Sequence, residues 1–420
     1  MARLLTPKDC HTLMNSIVRQ ATGQTTLTVT DTSSFVSAGE TVLATGMENV
    51  MNAINIVLGR LIVASRPYKA KFNLLDVTDG GIYTNRLRKI SYYAQDALPS
   101  GAYNTDLYTN LAQGYTASDN GGASTKSQWE QHQAMPLEFN FAGQSVWDDC
   151  ITMYEVQVQT AFRSEEEFAR FVAGYLQEHA NDIESQHEAF NRMTLLNRIG
   201  MSYDMTASGD ITLGAINMTK AFNDFYGITP AYTTAQLLST YLKEFLAFFV
   251  ATLKEHMDYL TDRGTYYHHP MTKTVSGVQY SILRHTPKDR QRLYMYAPLF
   301  RMSEALVLPE IFHDDYLKIS QYEPVTYWQS KDGGADINIV PAIYDTTTGE
   351  QVAGSAVETK VIAVLYDVDA VMTQFILDRS ATTALEARKM YRNVWNHYNK
   401  NAINDPTENC IVFYMEDPTP

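Results

Sequence analysis

Apolar positions recur every three to four residues in three long stretches of this chain, and in alternating or unbroken runs near its end. Thr6 and Pro7 form a start signal and Gly23 a stop, which predicts a first helix over 6–23. Thr26 to Val29 alternates as a strand would. Met47, Val50, Met51, Ile54, Val57, Leu58, Leu61 and Ile62 then keep helical spacing until Arg66-Pro67 ends the run. Ser164, with Glu167 three residues on, is a capping box. It opens a stripe through Phe168, Phe171, Tyr175, His179, Ile183, Phe190 and Leu196 that predicts one helix of roughly 35 residues, on the order of 50 Å, ending at Gly200. Thr234 opens another helix through Leu238, Phe245, Phe249, Leu253 and Leu260, closed by Arg263-Gly264. Residues 201–232 between them read as a mixed connector.

The strand signals lie elsewhere. Short runs at Gln279–Leu283, Leu293–Tyr296 and Ala305–Leu308 precede the turn Asp332-Gly333-Gly334. A hairpin is predicted from Ile337–Tyr344 and the residues from Gln351 on. Lys360–Tyr366 is a run rich in β-branched residues, and Asn409–Glu416 closes the chain as a strand. Residues 76–160 differ from both patterns. Glycines at 80, 81, 101, 114, 121 and 122 leave no room for a helix of normal length, yet Tyr83, Tyr92, Tyr93, Tyr103, Tyr108 and Tyr115 recur. Large aromatics in an irregular segment suit an arm that lies on another protein surface. Helices and strands segregate rather than alternate, so the fold class is α+β.

Composition narrows this reading. At 420 residues, 45% hydrophobic and 19% charged, the chain has enough apolar material for two or three ordered units. A formal net charge of −14 argues against a nucleic-acid binder, which needs clustered cations. Cys10, Cys150 and Cys410 are odd in number and far apart, as free thiols in a reducing compartment would be. Met1-Ala2-Arg3-Leu4-Leu5 runs straight into the first helix cap, so no signal peptide is expected. The apolar core of the 234–260 helix is too short to cross a bilayer.

Candidate chemistry is sparse. Glu184/His187 and Glu310/His313 have the Glu-x-x-His spacing of di-iron bundles, but that site needs two further inward glutamates, and solvated helix-surface residues account for both pairs. His268-His269, with His256 and Asp262 upstream, lack a spacing that puts three ligands on one face, and suit a helix end or an interface. No Gly-x-Ser-x-Gly, phosphate-binding loop or dinucleotide fingerprint is present. Arg86, Arg88 and Lys89 form one small basic cluster, read as a salt bridge or subunit contact. The asparagines from Asn393 to Asn409, set among Tyr391, Trp395 and Tyr398, read as core or interface. No catalytic residue, metal or cofactor is expected.

Two segments carry a resemblance. Ala21-Thr22-Gly23 … Asp31-Thr32-Ser33-Ser34-Phe35-Val36 … Gly39-Glu40-Thr41, followed by Arg66-Pro67-Tyr68, resembles the opening of tailed-bacteriophage major capsid proteins. Asn404-Asp405-Pro406-Thr407-Glu408-Asn409-Cys410-Ile411-Val412-Phe413 resembles their close. The order of elements agrees along nearly the whole chain. The resemblance implies the tailed-phage major capsid fold: an N-terminal arm (1–75), an extended loop (76–160), a peripheral domain with a long spine helix (161–214), an axial domain (215–334) and a strand-rich return to the peripheral domain (335–420), whose last strand could join the axial domain. It implies hexamers and pentamers of one polypeptide, tiling an icosahedral shell around double-stranded DNA. A separate scaffolding protein and a portal are the further partners, with assembly in the bacterial host cytoplasm and no membrane. An encapsulin-type compartment shell is the alternative within the same fold. A metal-dependent oxidoreductase built on Glu184/His187 is the rival from another class.

Overall fold

A computed structural model describes residues 7–23, 28–45, 49, 53, 71–75, 86–94, 135–142, 145–171, 177–275, 278–306, 322–344 and 350–418. In chain order its main elements are α1 (Pro7–Thr22), α2 (Thr32–Ala44), β1 (Arg86–Tyr92), β2 (Pro136–Ala142), β3 (Ser145–Tyr154), α3 (Glu155–Ala161), α4 (Glu165–Phe171) and α5 (Gln177–Ala207). There follow β4 (Ala215–Asn217), α6 (Met218–Tyr226), α7 (Thr234–Leu237), α8 (Leu242–Tyr259), β5 (Thr272–Val275), β6 (Val278–Ser281), β7 (Gln291–Tyr296) and α9 (Ala297–Leu306). The last part is all strand: β8 (Tyr322–Val325), β9 (Asp336–Ile339), β10 (Ala342–Tyr344), β11 (Gln351–Ala353), β12 (Val357–Asp367), β13 (Val371–Thr382), β14 (Tyr391–Asn404) and β15 (Cys410–Met415).

The run Lys360–Tyr366 lies in β12, at the centre of a six-stranded sheet ordered β4-β15-β12-β7-β8, with β9 paired to its first half. Its lack of alternation has a physical cause: both of its faces are covered. On one face α6, α8 and α9 bring Phe222, Phe245, Phe249 and Leu299 against Leu293, Ile362, Leu365 and Phe413. On the other, α5 brings Leu195 and Ile199 to the cluster that holds Val361, Val364, Tyr366 and Val412. Trp328 is fully buried there and its indole N–H donates to the Val361 carbonyl at 2.8 Å. A second sheet, β13-β14-β3, is antiparallel throughout. Behind it α1 to α4 build a separate core from Met14, Ile17, Phe35, Val158, Phe162 and Phe168.

Several expectations need correction. Helix α2 stands where only a motif was read; Asp31 caps it, accepting from the Ser34 N–H while the Ser34 hydroxyl closes the capping box. Val29 is not in a strand, and the rest of the expected 26–29 strand lies outside or at the edge of the described residues. The 47–62 helix lies outside them apart from Asn49 and Ala53, which are helical. The connector 201–232 holds β4 and α6, and the 234–260 helix is broken into α7 and α8. Ala305 and Leu306 are the last residues of α9 rather than the start of a strand, and 307–308 lie outside the described residues. The expected hairpin is two pairings, β9 with β12 and β10 with β11. Residues 145–160, read as part of an irregular segment, supply a ten-residue strand of the second sheet and most of the short helix α3.

Gly200 is not a stop either, because α5 runs on to Ala207. Its missing side chain serves packing: a Cβ there would lie 2.8 Å from Pro341 Cβ and 2.9 Å from Ile339 Cδ1. Gly200→Ala is therefore expected to lower stability. Overpacking against a proline ring costs about 1–3 kcal/mol, against a helix-propensity gain of about 1 kcal/mol. A urea midpoint that rises in this variant would refute the close-approach argument.

Candidate functional site

The chain leaves the second sheet at Asn404 and enters the first at Cys410, and the five residues between cross the interior. Pro406 ends the strand. Asp405 shapes the turn by accepting from the Thr407 N–H (2.9 Å) and hydroxyl (2.7 Å). A turn made of Asp, Thr, Glu and Asn belongs in water, yet Asp405, Thr407 and Asn409 are buried and Glu408 nearly so. Each polar group must then find a protein partner. Those partners come from four separate parts of the chain.

From β1, Lys89 Nζ reaches Asp405 Oδ2 and Glu408 Oε1, both at 2.6 Å. From α5, the fully buried Arg198 donates to the Asp405 carbonyl at 2.7 Å and the Glu408 carbonyl at 2.9 Å. Arg284, just beyond β6, donates through Nε to the Thr407 carbonyl (3.1 Å), meets Glu408 Oε1 (3.1 Å), and through Nη2 to the Ser91 hydroxyl of β1 (2.6 Å). His268 is hydrogen-bonded to the Asn409 side chain at 2.9 Å and to the Ile282 carbonyl at 3.0 Å, while Asn409 donates to Thr286 Oγ1 at 3.1 Å. Along β1, period-two alternation sends Lys89 and Ser91 inward to this joint and leaves Ile90 and Tyr92 51% and 60% exposed.

The environment splits the two carboxyls. Burial alone would raise Asp405, but Lys89 and the Thr407 hydrogen bonds outweigh it and hold the carboxyl below its ordinary value. Burial dominates at Glu408 and raises it, with Lys89 and Arg284 acting against the rise. Burial likewise depresses His268, His179 and His256, so all three favour the neutral ring.

The residues singled out by sequence scatter. Lys89 makes the salt bridge read for its cluster, whereas nothing is described of the Arg86 and Arg88 side chains. His268 enters the joint. His269 Nδ1 faces the Asp210 carbonyl, and His256 the Tyr267 hydroxyl, so the three histidines are not gathered. Glu184 and His187 are buried rather than solvated. His187 joins Asn191, which donates to the Phe72 carbonyl and accepts from Thr373 of β13 at 2.7 Å. Glu310 and His313 lie outside the described residues. Among the described residues no group of three His, Cys, Asp or Glu side chains could hold a metal ion, and no helix is long and apolar enough to cross a membrane. None of the three cysteines is in a disulfide, and only Cys150 is exposed. Asn396 of the asparagine stretch packs on His179 (3.2 Å), which also meets Asp149 at 3.0 Å. Arg198 and Arg284 escaped notice. Arg198 sits three residues after Leu195 and four before Ser202, on the buried stripe of α5, and an arginine there was the available signal.

Every ionisable group of the joint is committed to another protein group, so what the arrangement does is hold the β1–β2 ribbon to the body. Lys89→Met should cost about 3–5 kcal/mol, because it leaves two buried carboxylates facing each other, and Lys89→Arg should recover part of the loss. Unfolding in urea measures both; an unchanged midpoint for the methionine variant would show the joint to be idle. The histidine contribution to the pH dependence has a definite sign. The unfolded chain protonates its histidines near 6.5, while the depressed histidines of the folded chain do not follow. Stability is therefore full above that value and is lost as pH falls below it, with a slope of about 1.4 kcal/mol per pH unit for each histidine. Flat stability from pH 7 to 5.5 would contradict this.

The fold and joint can be set beside known proteins. No curated protein matches the chain by sequence. Among solved structures, the capsid of Staphylococcus phage Andhra is similar at 12% identity over 83% of this chain and 84% of that one, with a TM-score of 0.45. A structure of the head fibre and inner core protein of bacteriophage P68 is similar at 12% identity over 83% and 85%, TM-score 0.49. The acid-stable capsid of Helicobacter pylori bacteriophage KHP30 is similar at 10% identity over 84% and 92%, TM-score 0.37. A family model, Phi29-like phage major capsid protein, matches residues 87–414, a span that holds Lys89, both sheets and the whole joint. The chain is a structural subunit of a virion shell and belongs to the Phi29-like phage major capsid protein family.

Proposed function

We propose that this subunit forms hexamers and pentamers that close an icosahedral shell around double-stranded DNA, with a separate scaffolding protein and a portal, in the cytoplasm of a bacterial host. It acts without catalysis. Residues 1–75 form the arm, 76–160 the extended loop up to the point where β3 joins the second sheet, 161–214 the peripheral domain with the spine helix, 215–334 the axial domain, and 335–420 the return. The observation that carries this reading is the ribbon β1–β2. Its inward face is bonded to the body through Lys89 and Ser91, while Ile90 and Tyr92 on its outward face meet no core. An antiparallel ribbon held along its inward face by Lys89 and Ser91, and at its end by the Ala94 N–H that donates to the Ser281 carbonyl, is marginal in isolation and gains stability by lying on another surface. The encapsulin and oxidoreductase readings have no such observation behind them.

The net charge of −14 suits a wall that must not bind its cargo tightly, since phosphate contacts require counter-charged residues. Subunit contacts repeated by symmetry add up even when each is modest. Electron microscopy of the purified chain, with and without a candidate scaffolding protein, is expected to show closed shells, tubes or sheets built of rings. A monodisperse monomer under every condition would overturn the proposal.

A further inference from the structure

Two exposed apolar features lie among the helices that cover one face of the six-stranded sheet. Helix α6 packs against β4 and β15 at one edge, α9 packs against β7 and β8 at the other, and α8 lies between them. At the end of α6 Phe225 is 70% exposed and Tyr226 54%. They are not loose. Phe225 stands against Tyr226 at 4.9 Å and Phe248 at 5.3 Å between ring centroids, and Tyr226 leans on the buried Phe222 at 4.8 Å. This aromatic stack, rooted in the α8 core, presents a stiff knob to solvent. A pocket of about 260 Å³ opens between the start of α8, α9 and the central strand β12, lined by Leu238, Leu242, Tyr296, Leu299 and Met302 with Lys360 at its β12 side. That volume falls below the roughly 300–1,000 Å³ of small-molecule sites and suits a side chain.

We infer that Phe225 of one subunit seats in the α9 pocket of the next, so that α6 and α9 form a head-to-tail contact between copies of this chain. The inference rests on the shell reading and names two surfaces through which one ring would close. Three observations favour a second copy as the occupant. The knob and the pocket match in apolar chemistry and in size. They are two different patches, one at the end of α6 and one between α8, α9 and β12, as a heterologous contact that repeats around a ring requires, whereas a two-fold contact would use one patch twice. The chain belongs to a family of shell subunits, which meet copies of themselves. A desolvated aromatic anchor in a pocket is also the usual form of an interface hot spot.

The test uses full-length chains and two surface variants, Phe225→Asp, which spoils the knob, and Met302→Glu, which charges the mouth of the pocket. Met302 is 45% exposed, so neither change touches the core. Each variant alone should fold as the parent does by circular dichroism and should associate about thirtyfold more weakly, the usual loss for a hot-spot anchor. Mixed one to one, they retain a single intact knob and a single intact pocket between them. Sedimentation should then show a dimer that neither forms alone. Wild-type particle yield from Phe225→Asp, or a mixture that stays monomeric while the parent chain assembles, overturns the contact and leaves the shell reading standing. A parent chain that never assembles removes both.

Discussion

The turn Asp405–Asn409 carries the constraint from which the rest of the architecture follows. The two sheets are joined by a chain that passes between them, and that passage strips water from peptide and side-chain groups. Leaving one such group unpaired costs about 1–3 kcal/mol, so the passage can exist only where donors converge on it. Arg198 answers two carbonyls, Lys89 two carboxylates, and Arg284 a carbonyl and a carboxylate. Because the donors come from α5, β1 and the segment after β6, satisfying the turn also sets the position of the long helix, the ribbon and the start of β15.

Around that polar joint the apolar cores do the rest. Strand β12 is buried on both faces, so it can slip neither in register nor in face without exposing Val361, Val364 or Leu365. Helix α5 extends the constraint to the second sheet, where Asn191 bonds Thr373 of β13 and His179 bonds Asn396 of β14. One rigid helix thus couples both sheets. The outcome is a stiff body bearing a ribbon, which is what a subunit needs if neighbouring contacts are to repeat at fixed angles.

The parts legible in the sequence were those where local pattern and burial agree. Lys360–Tyr366 read as a strand because β-branched residues recur in it and no polar residue interrupts its core, and the apolar stripe of α8 marked it as a helix. Helix α2 failed for the opposite reason. Ser33, Ser34, Ser37, Gly39 and Thr41 are indifferent or poor helix formers, and burial of Phe35, Ala38 and Val42 overrides them. Gly200 looked like punctuation because a glycine that permits close packing and one that ends a helix are the same letter. The joint was half visible. A salt bridge was read for Lys89, but its partners are 316 and 319 residues away, and Arg198 lies 207 and 210 residues from its carbonyls. No local periodicity encodes such distances, and arginine on a helix is ordinarily a surface residue.

The distribution of polarity has a further consequence for assembly. In most domains charge lies outside and apolar groups inside; here a cluster of five charged side chains is spent internally at the joint, while Ile90, Tyr92, Trp147 and Phe225 stand in solvent. Exposed aromatics would make a neutral subunit aggregate without order. The net charge of −14 opposes that, because like-charged subunits repel at every orientation while apolar patches attract only where their shapes meet. Salt shortens the range of the repulsion to about 8 Å at physiological strength and leaves apolar contact untouched. Association is thereby confined to geometries in which several patches engage together, and a subunit with a rigid joint can offer that geometry every time.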